Sequence, residues 1–445
     1  MKLHNVNVAL EIVFWLCAAL IVWTQLGYVA ALAALARLRG RAPLAPATAA
    51  QAAAPMGQTP SLSLIVAAHD EQSVIAAKVA NALALDYPRE RLEVIVACDG
   101  CADATAQGAR EAGADLVLEL PRGGKIRAQD AAVERARGEI VAFSDANALW
   151  EPDAARALVD AFAGPRVGYA CGQVRFFLDP HLPDFPSAGP AAAGSDLAVQ
   201  GSTSGGATPT NQEGLYWRYE IAVRALESRL ASITAGNGAI YATRRDTYLV
   251  VDPIMGHDLS FPFNMVKRGW RAMYVPGARA RERMVPSIAG ELARKRRMMS
   301  HTWPIVLQGG MLSPRGYPPG YALMIFSHRV LRYLTPFLHA LALAANVALV
   351  ALGAGPHALY VATLAAQLVL LAAAGLGGVV EVVARAARIP AIAKAARPLL
   401  IARYYVLTTA SIALGLLDWL RHGTAATWEA AEGTRPVDTP PAVAR

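Results

Sequence analysis

The chain has 445 residues, 54% hydrophobic and 17% charged, with a mean hydropathy of +0.31 and a formal net charge of +8. That is too apolar for an ordinary soluble enzyme and too charged for a bundle of membrane spans alone, so one soluble domain joined to membrane helices fits both numbers. The positive charge collects beside the apolar stretches and needs no nucleic acid to explain it, and four cysteines, at 17, 98, 101 and 171, make no disulfide framework.

Residues 1–42 read as an N-terminal anchor. Val8 to Leu35 carries only Glu11 and Gln25 as strongly polar interruptions, enough to span about 30 Å of hydrocarbon, and it is longer than the apolar core of a cleaved signal peptide. Arg37, Arg39 and Arg41 follow it, which by the positive-inside rule places the next domain in the cytoplasm. Residues 43–60, rich in Ala, Pro and Gln, form a linker.

The soluble domain is expected over 61–303. Leu62 to Ala68 predicts a central strand, with Ala68, His69, Asp70 and Glu71 at its carboxyl end, followed by a helix to about Leu85. A second strand, Leu92 to Ala97, ends in Asp99 and Gly100, within a Cys98-x-x-Cys101 whose redox reading is weak because no helix opens on it. A third strand (115–119) and a helix (126–137) lead to Ile140 to Trp150, where a β-rich run delivers Asp145-Ala146-Asn147 to a strand end. This alternation predicts an α/β domain with a mostly parallel sheet, in which ligands bind at the carboxyl ends of the strands. No G-x-G-x-x-G or P-loop is present. Asp145 and Asn147 can offer oxygens to one hard cation, although an Asp at a strand end is also an ordinary helix cap. In Arg122-Gly123-Gly124-Lys125, glycines allow backbone amides to approach phosphate, with Lys125 supplying charge; the same tetrapeptide is also an ordinary helix lead-in.

Residues 179–212 form a low-complexity insert, and a helix follows through Leu230. A glycine-flanked loop, Ala235 to Arg245, precedes a strand, and Gly256-His257-Asp258 opens a helix ending at Gly269, where Asp258 is either a site residue or a plain helix-start charge. A basic run, Arg294 to Arg297, ends the domain, and its bland reading is a phospholipid-facing surface. Residues 304–333 predict a helix lying in the membrane interface, because Leu323 to Phe326 alternate with His328, Arg329 and Arg332. Spans are expected at 334–352, 357–383 and 399–420 within a C-terminal membrane region 334–422, followed by a tail, 423–445.

The ordered motifs resemble those of membrane-anchored family-2 glycosyltransferases of the cellulose-synthase-like superfamily, which have the nucleotide-sugar-binding fold called GT-A. The resemblance covers about Ser61 to Trp303 and extends loosely to the membrane segments and the tail at Thr427-Trp428-Glu429. It implies that Ala68, His69, Asp70 and Glu71 form the first donor-contacting turn and that Asp99 holds the nucleotide base. It implies that Asp145 and Asn147 match the D-x-D that binds ribose and a Mg2+ or Mn2+ ion, and that Asp258 matches the general base of T-E-D. Lys125 joins this donor set on the chemistry of its loop. Arg294 and Arg297 match the motif that closes over the diphosphate. Three differences stand out: Asn147 replaces an Asp, His257 replaces a Glu, and the Trp of the third motif is missing. The implied function is inverting transfer from a nucleotide sugar, a UDP-sugar first, to a glycan or lipid acceptor at the cytoplasmic face of a bacterial inner membrane. The alternatives are a glycolipid-forming transferase and, in a different class, an inactive scaffold, against which the intact Asp99, Asp145 and Asp258 speak. A transporter is disfavoured by the few ionisable residues inside the spans.

Overall fold

The computed structural model describes residues 2–40, 59–177, 211–283, 288–387 and 396–424. The linker, most of the low-complexity insert and nearly all of the tail fall outside the described residues. The domain is built on an eight-stranded mixed sheet in the order β3-β2-β1-β4-β7-β6-β8-β5. Its strands are β1 (Leu62–Ala68), β2 (Leu92–Asp99), β3 (Leu116–Leu120), β4 (Ile140–Asp145), β5 (Leu149–Trp150), β6 (Val167–Phe177), β7 (Ile240–Arg244) and β8 (Arg271–Arg283).

The first four strands in the order are parallel. Every residue of β1 and of β2 is buried, the pattern of strands covered on both faces, which is why residues 64–68 and 94–98 read as continuous apolar runs rather than alternations. Register then fixes the site. Ala68 lies opposite Cys98, and Ala67 opposite Asp145, so the chain leaving β1, β2 and β4 delivers His69, Asp99 and Asp145 to one edge of the sheet. Beyond β4 the sheet turns antiparallel through β7. Helices α3 (Ile75–Leu83), α4 (Thr105–Glu111), α5 (Lys125–Arg135) and α6 (Ala154–Asp160) connect the early strands, with α7 (Asn211–Leu230) and α8 (His257–Lys267) later.

Among the described residues, four helices are long and apolar enough to cross a membrane: His4–Leu38, Pro319–Ala351, His357–Val383 and Arg397–His422. The first is α1 (Lys2–Val22) and α2 (Tyr28–Leu38) joined by a π turn, Trp23–Gly27; the second is α10 (Pro319–Met324) and α11 (Leu331–Ala351) joined by a π turn, Ile325–Val330. The two π turns meet, with Trp23 Nε1 donating to Ser327 Oγ at 3.0 Å. The other two are α12 (His357–Ala387) and α13 (Arg397–His422).

The backbone departs here from the expected interfacial helix. Tyr321 to Tyr333 belongs to the same helical run as the span that follows, and its polar residues turn inward onto α7. His328 Nδ1 stands 2.7 Å from Glu227 Oε1, Tyr28 Oη donates to the same oxygen at 2.7 Å, and Arg329 Nε donates to Thr234 Oγ1 at 2.9 Å. Arg332 donates to Glu220, and all of these groups except Arg332 are buried. An amphipathic pattern says that polar residues need partners; here the partners are protein carboxylates instead of lipid headgroups. Burial pushes the Glu227 carboxyl up, but the charges of His328 and Arg329 outweigh it and hold it below the usual glutamate range; by the same balance Glu220 falls to about 2.

Candidate active site

The turn after β1 is tightly made. Asp70 has φ of 51°, a left-handed conformation uncommon outside glycine, and its Oδ1 accepts from Ala102 N at 2.8 Å. His69 Nδ1 lies 2.7 Å from the Asp99 carbonyl oxygen. Ala68 and Glu71 are fully buried; Glu71 N donates to Thr105 Oγ1 at 2.7 Å, and its carbonyl starts α3. Of the four residues assigned to this turn, His69 and Asp70 therefore face the cleft, while Ala68 and Glu71 sit beneath it.

Asp99 is 2% exposed, and its carboxylate is taken up by the loop opposite. It accepts from Gly123 N at 2.6 Å and from Gly124 N at 3.0 Å, with Arg122 Nε at 3.8 Å. The glycines thus serve a close approach other than the expected one: these two amides bind a carboxylate of the protein itself, in the way that a helix-start loop binds any anion. A Cβ at Gly100, whose φ is 61°, would come within 2.8 Å of Arg122 Cβ, so the two loops meet only because that position is glycine. Of the flanking cysteines, Cys98 is buried; its hydrogen bond to Cys101 brings the Cys101 thiol down to about 7.

Lys125, the first residue of α5, ion-pairs with Asp145 and also donates to the Gly238 carbonyl oxygen at 3.3 Å. It thereby ties β4 to the loop before β7. In that loop Gly236 N donates to the Asp258 carbonyl oxygen at 2.6 Å, and a Cβ on Gly238 would lie 4.0 Å from Asp258 Cβ and 3.8 Å from Lys125 Nζ. Asp145, Lys125 and Asp258, distant from one another in the chain, are thus neighbours around Gly238. Asn147 Nδ2 donates to Glu282 Oε1 at 3.0 Å, which brings into the site a carboxylate on β8 that the sequence reading missed. Lys78, wholly buried on α3, donates to the Ala148 carbonyl oxygen at 2.6 Å beneath the same turn; burial lowers its pKa to about 7, against the pull of Asp145.

His257 and Asp258, adjacent in sequence, part company. Asp258 is partly exposed in the first turn of α8, whereas His257 is 2% exposed, stacked at 4.0 Å on Phe261 and edge-on to Phe143, Tyr241 and Tyr248. Its Nδ1 lies 2.8 Å from Tyr241 Oη, and burial, aided by Lys125, lowers its pKa to about 3, so it is a neutral core residue. Arg294 and Arg297 lie on α9 (Ile288–Leu307), which runs along α13: Arg296 grips Asp418 at 2.5 and 2.6 Å, and Lys295 bonds Tyr404. Arg294 donates to Met298 Sδ at 3.4 Å, and Arg297 is exposed.

Among solved structures, the fold is similar to that of the mannosyltransferase PcManGT from Pyrobaculum calidifontis, determined in complex with GDP-Man and Mn2+, with a TM-score of 0.58 and 20% identity over 94% of this chain and 99% of that one. Among curated proteins, the beta-monoglucosyldiacylglycerol synthases of Trichormus variabilis and of Nostoc sp. are each 34% identical over 119 residues, 25% of this chain and 25% of theirs. The chain therefore aligns with about a quarter of the length of these curated relatives. A family model described as glycosyltransferase like family 2 matches residues 60–300, more than half of the chain, and the chain belongs to that family.

Proposed function

We propose that this chain is an inverting glycosyltransferase that takes a sugar from a nucleotide-sugar donor, a UDP-sugar in the first instance, and passes it to a membrane-borne hydroxyl at the cytoplasmic face. The observation that carries the reading is the meeting of Asp145, Lys125 and Asp258 around Gly238, which sets a donor-side carboxylate and cation beside an acceptor-side carboxylate. Asp258 takes the proton as the acceptor oxygen bonds to the anomeric carbon and the bond from that carbon to the diphosphate breaks. Lys125 is placed to meet the charge that develops on the leaving diphosphate. Arg294 and Arg297 remain candidates for the same task through the family resemblance.

A divalent cation, Mg2+ or Mn2+, fits the oxygen donors at the end of β4. The ammonium of Lys125 already stands on Asp145 in the place of a cation, and Asn147 follows two residues on, in the turn between β4 and β5. Asp145 and Asn147 would hold the ion, which when bound would neutralise the diphosphate. The cationic residues flanking the apolar helices support the cytoplasmic orientation.

A lipid hydroxyl is the acceptor we favour over a growing polysaccharide. Two curated relatives are named for making a glycosylated diacylglycerol, and this chain lacks the Trp that would offer a sugar ring a flat apolar face. The test is Asp258→Asn, which keeps the shape of the side chain but cannot take the proton. Single-turnover transfer should fall by roughly a hundredfold or more, while donor affinity on the same preparation hardly changes. Unaltered transfer would remove Asp258 from the site.

A further inference from the structure

On the β2 side of β1, away from Asp145 on β4, a second group of ligating atoms converges. His69, Asp70 and Cys101 each bring one such atom within 4.8 Å of the others. The Asp99 carbonyl oxygen can only accept a hydrogen bond, so His69 Nδ1 carries the hydrogen and a neutral ring has its lone pair on Nε2. That lone pair faces Asp70 Oδ2 at 3.6 Å. Two acceptors opposed in this way call for a positive charge between them. The other carboxylate oxygen of Asp70 is held by Ala102 N, and the left-handed backbone at Asp70 turns the side chain over the cleft, a strain of the kind that structures keep where it serves a site. Cys101 Sγ, which also makes a long contact of 3.5 Å to the Ala68 carbonyl oxygen, closes the triangle.

We infer that His69, Asp70 and Cys101 form a second metal site, for a borderline-soft divalent cation of the Zn2+ type, and that an ion there competes with the nucleotide. One nitrogen, one sulfur and one oxygen suit zinc and leave a fourth position open, whereas Mg2+ selects oxygens alone. The hydrogen bond from Nδ1 to a backbone carbonyl is the outer-shell arrangement that aims the other ring nitrogen of a ligating histidine. Ligand atoms around tetrahedral zinc stand about 3.5 Å apart, so the widest pair has to close by about 1 Å, which the partly exposed Asp70 and Cys101 side chains allow. The competition rests on the proposed use of a nucleotide-sugar donor and on the family resemblance, which implies that His69, Asp70 and Asp99 border the nucleotide; the metal site itself does not.

The experiment uses the full chain in detergent, chelator-treated and kept reduced, titrated with Co2+ as a coloured stand-in for Zn2+. A thiolate-to-cobalt absorption band should saturate at one equivalent. It should be bleached by Zn2+ but not by excess Mg2+, vanish in Cys101→Ser, and persist in Asp145→Asn. His69→Gln should weaken zinc binding by roughly a hundredfold or more, beyond the 10- to 100-fold that losing an outer-shell partner brings. Melting temperature without metal, compared between the wild type and Cys101→Ser, confirms that the variant is folded. No band, as expected if His69 is simply protonated against Asp70, or a band that survives in Cys101→Ser, overturns the site. Uridine diphosphate affinity should fall about tenfold or more at saturating Zn2+ in the wild type and stay constant in Cys101→Ser; an unchanged wild-type affinity overturns the competition. If the metal-free protein binds no uridine diphosphate at all, the donor reading fails while the cobalt band still decides the site.

Discussion

Charge is held in two different ways in this chain. At the strand ends, Asp145, Lys125, Asp258 and Asn147 are partly open, and the pairing of Lys125 with Asp145 and of Asn147 with Glu282 is of a kind that a ligand could replace. At the junction of α7 with the membrane-length helices, Glu227 uses both of its oxygens on Tyr28, Thr234 and His328 within a closed set of buried partners. The first arrangement is open to solvent and the second is sealed inside the protein. Exchangeable pairing suits binding and catalysis, whereas buried pairing fixes geometry.

Removing one charge from each region separates the two roles. Asp145→Ala should abolish transfer in a donor-turnover assay while leaving the melting temperature close to that of the wild type, because Lys125 keeps solvent and Gly238 as partners. A large fall in melting temperature would break the contrast. Glu227→Ala strands His328 and Arg329 in the interior, and thermal or denaturant unfolding in detergent should register a loss of about 3–5 kcal/mol. A stable Glu227→Ala protein would show that the junction does not depend on its ion pairs.

The most gradual of these effects, spread over several pH units, lies in the domain core at His257. Its folded pKa of about 3 is below the unfolded value of about 6.5, so the unfolded chain binds the extra proton between these values and stability falls as pH falls. The slope from this group is about 1.4 kcal/mol per pH unit within that window, and unfolding midpoints at pH 6, 5 and 4 should show it. In His257→Gln that contribution should disappear. An unchanged slope would mean that His257 is not held neutral by its aromatic surroundings.

What the sequence disclosed follows from how local each signal is. Strands β1, β2 and β4 were legible because burial on both faces writes a largely apolar run, and their strand-end acids followed directly. Glu282 was hidden because its partner Asn147 is 135 residues away and nothing in Arg281-Glu282-Arg283 marks a site. The Glu227 junction was hidden for the same reason, with partners 101 and 199 residues distant. A signal did exist: His328 and Arg329 stand in an otherwise apolar helical run, where ionisable groups imply protein partners. His257 misleads by adjacency, since successive helical residues differ by about 100° and one of the pair faces the core.

The two π turns act as an angular index between the membrane helices and the enzyme domain. Each is the equivalent of one residue inserted without a compensating turn. Adding a single alanine directly after Ile325–Val330, where the wide turn already holds its extra residue, would leave length, charge and hydropathy almost untouched, and the helix would still qualify as a span. It would nevertheless rotate the rest of Leu331–Ala351 by about 100°, carrying Arg332 away from Glu220. Such an insertion would pass every test of membrane insertion and still misalign the catalytic head, a class of lesion that hydropathy cannot register.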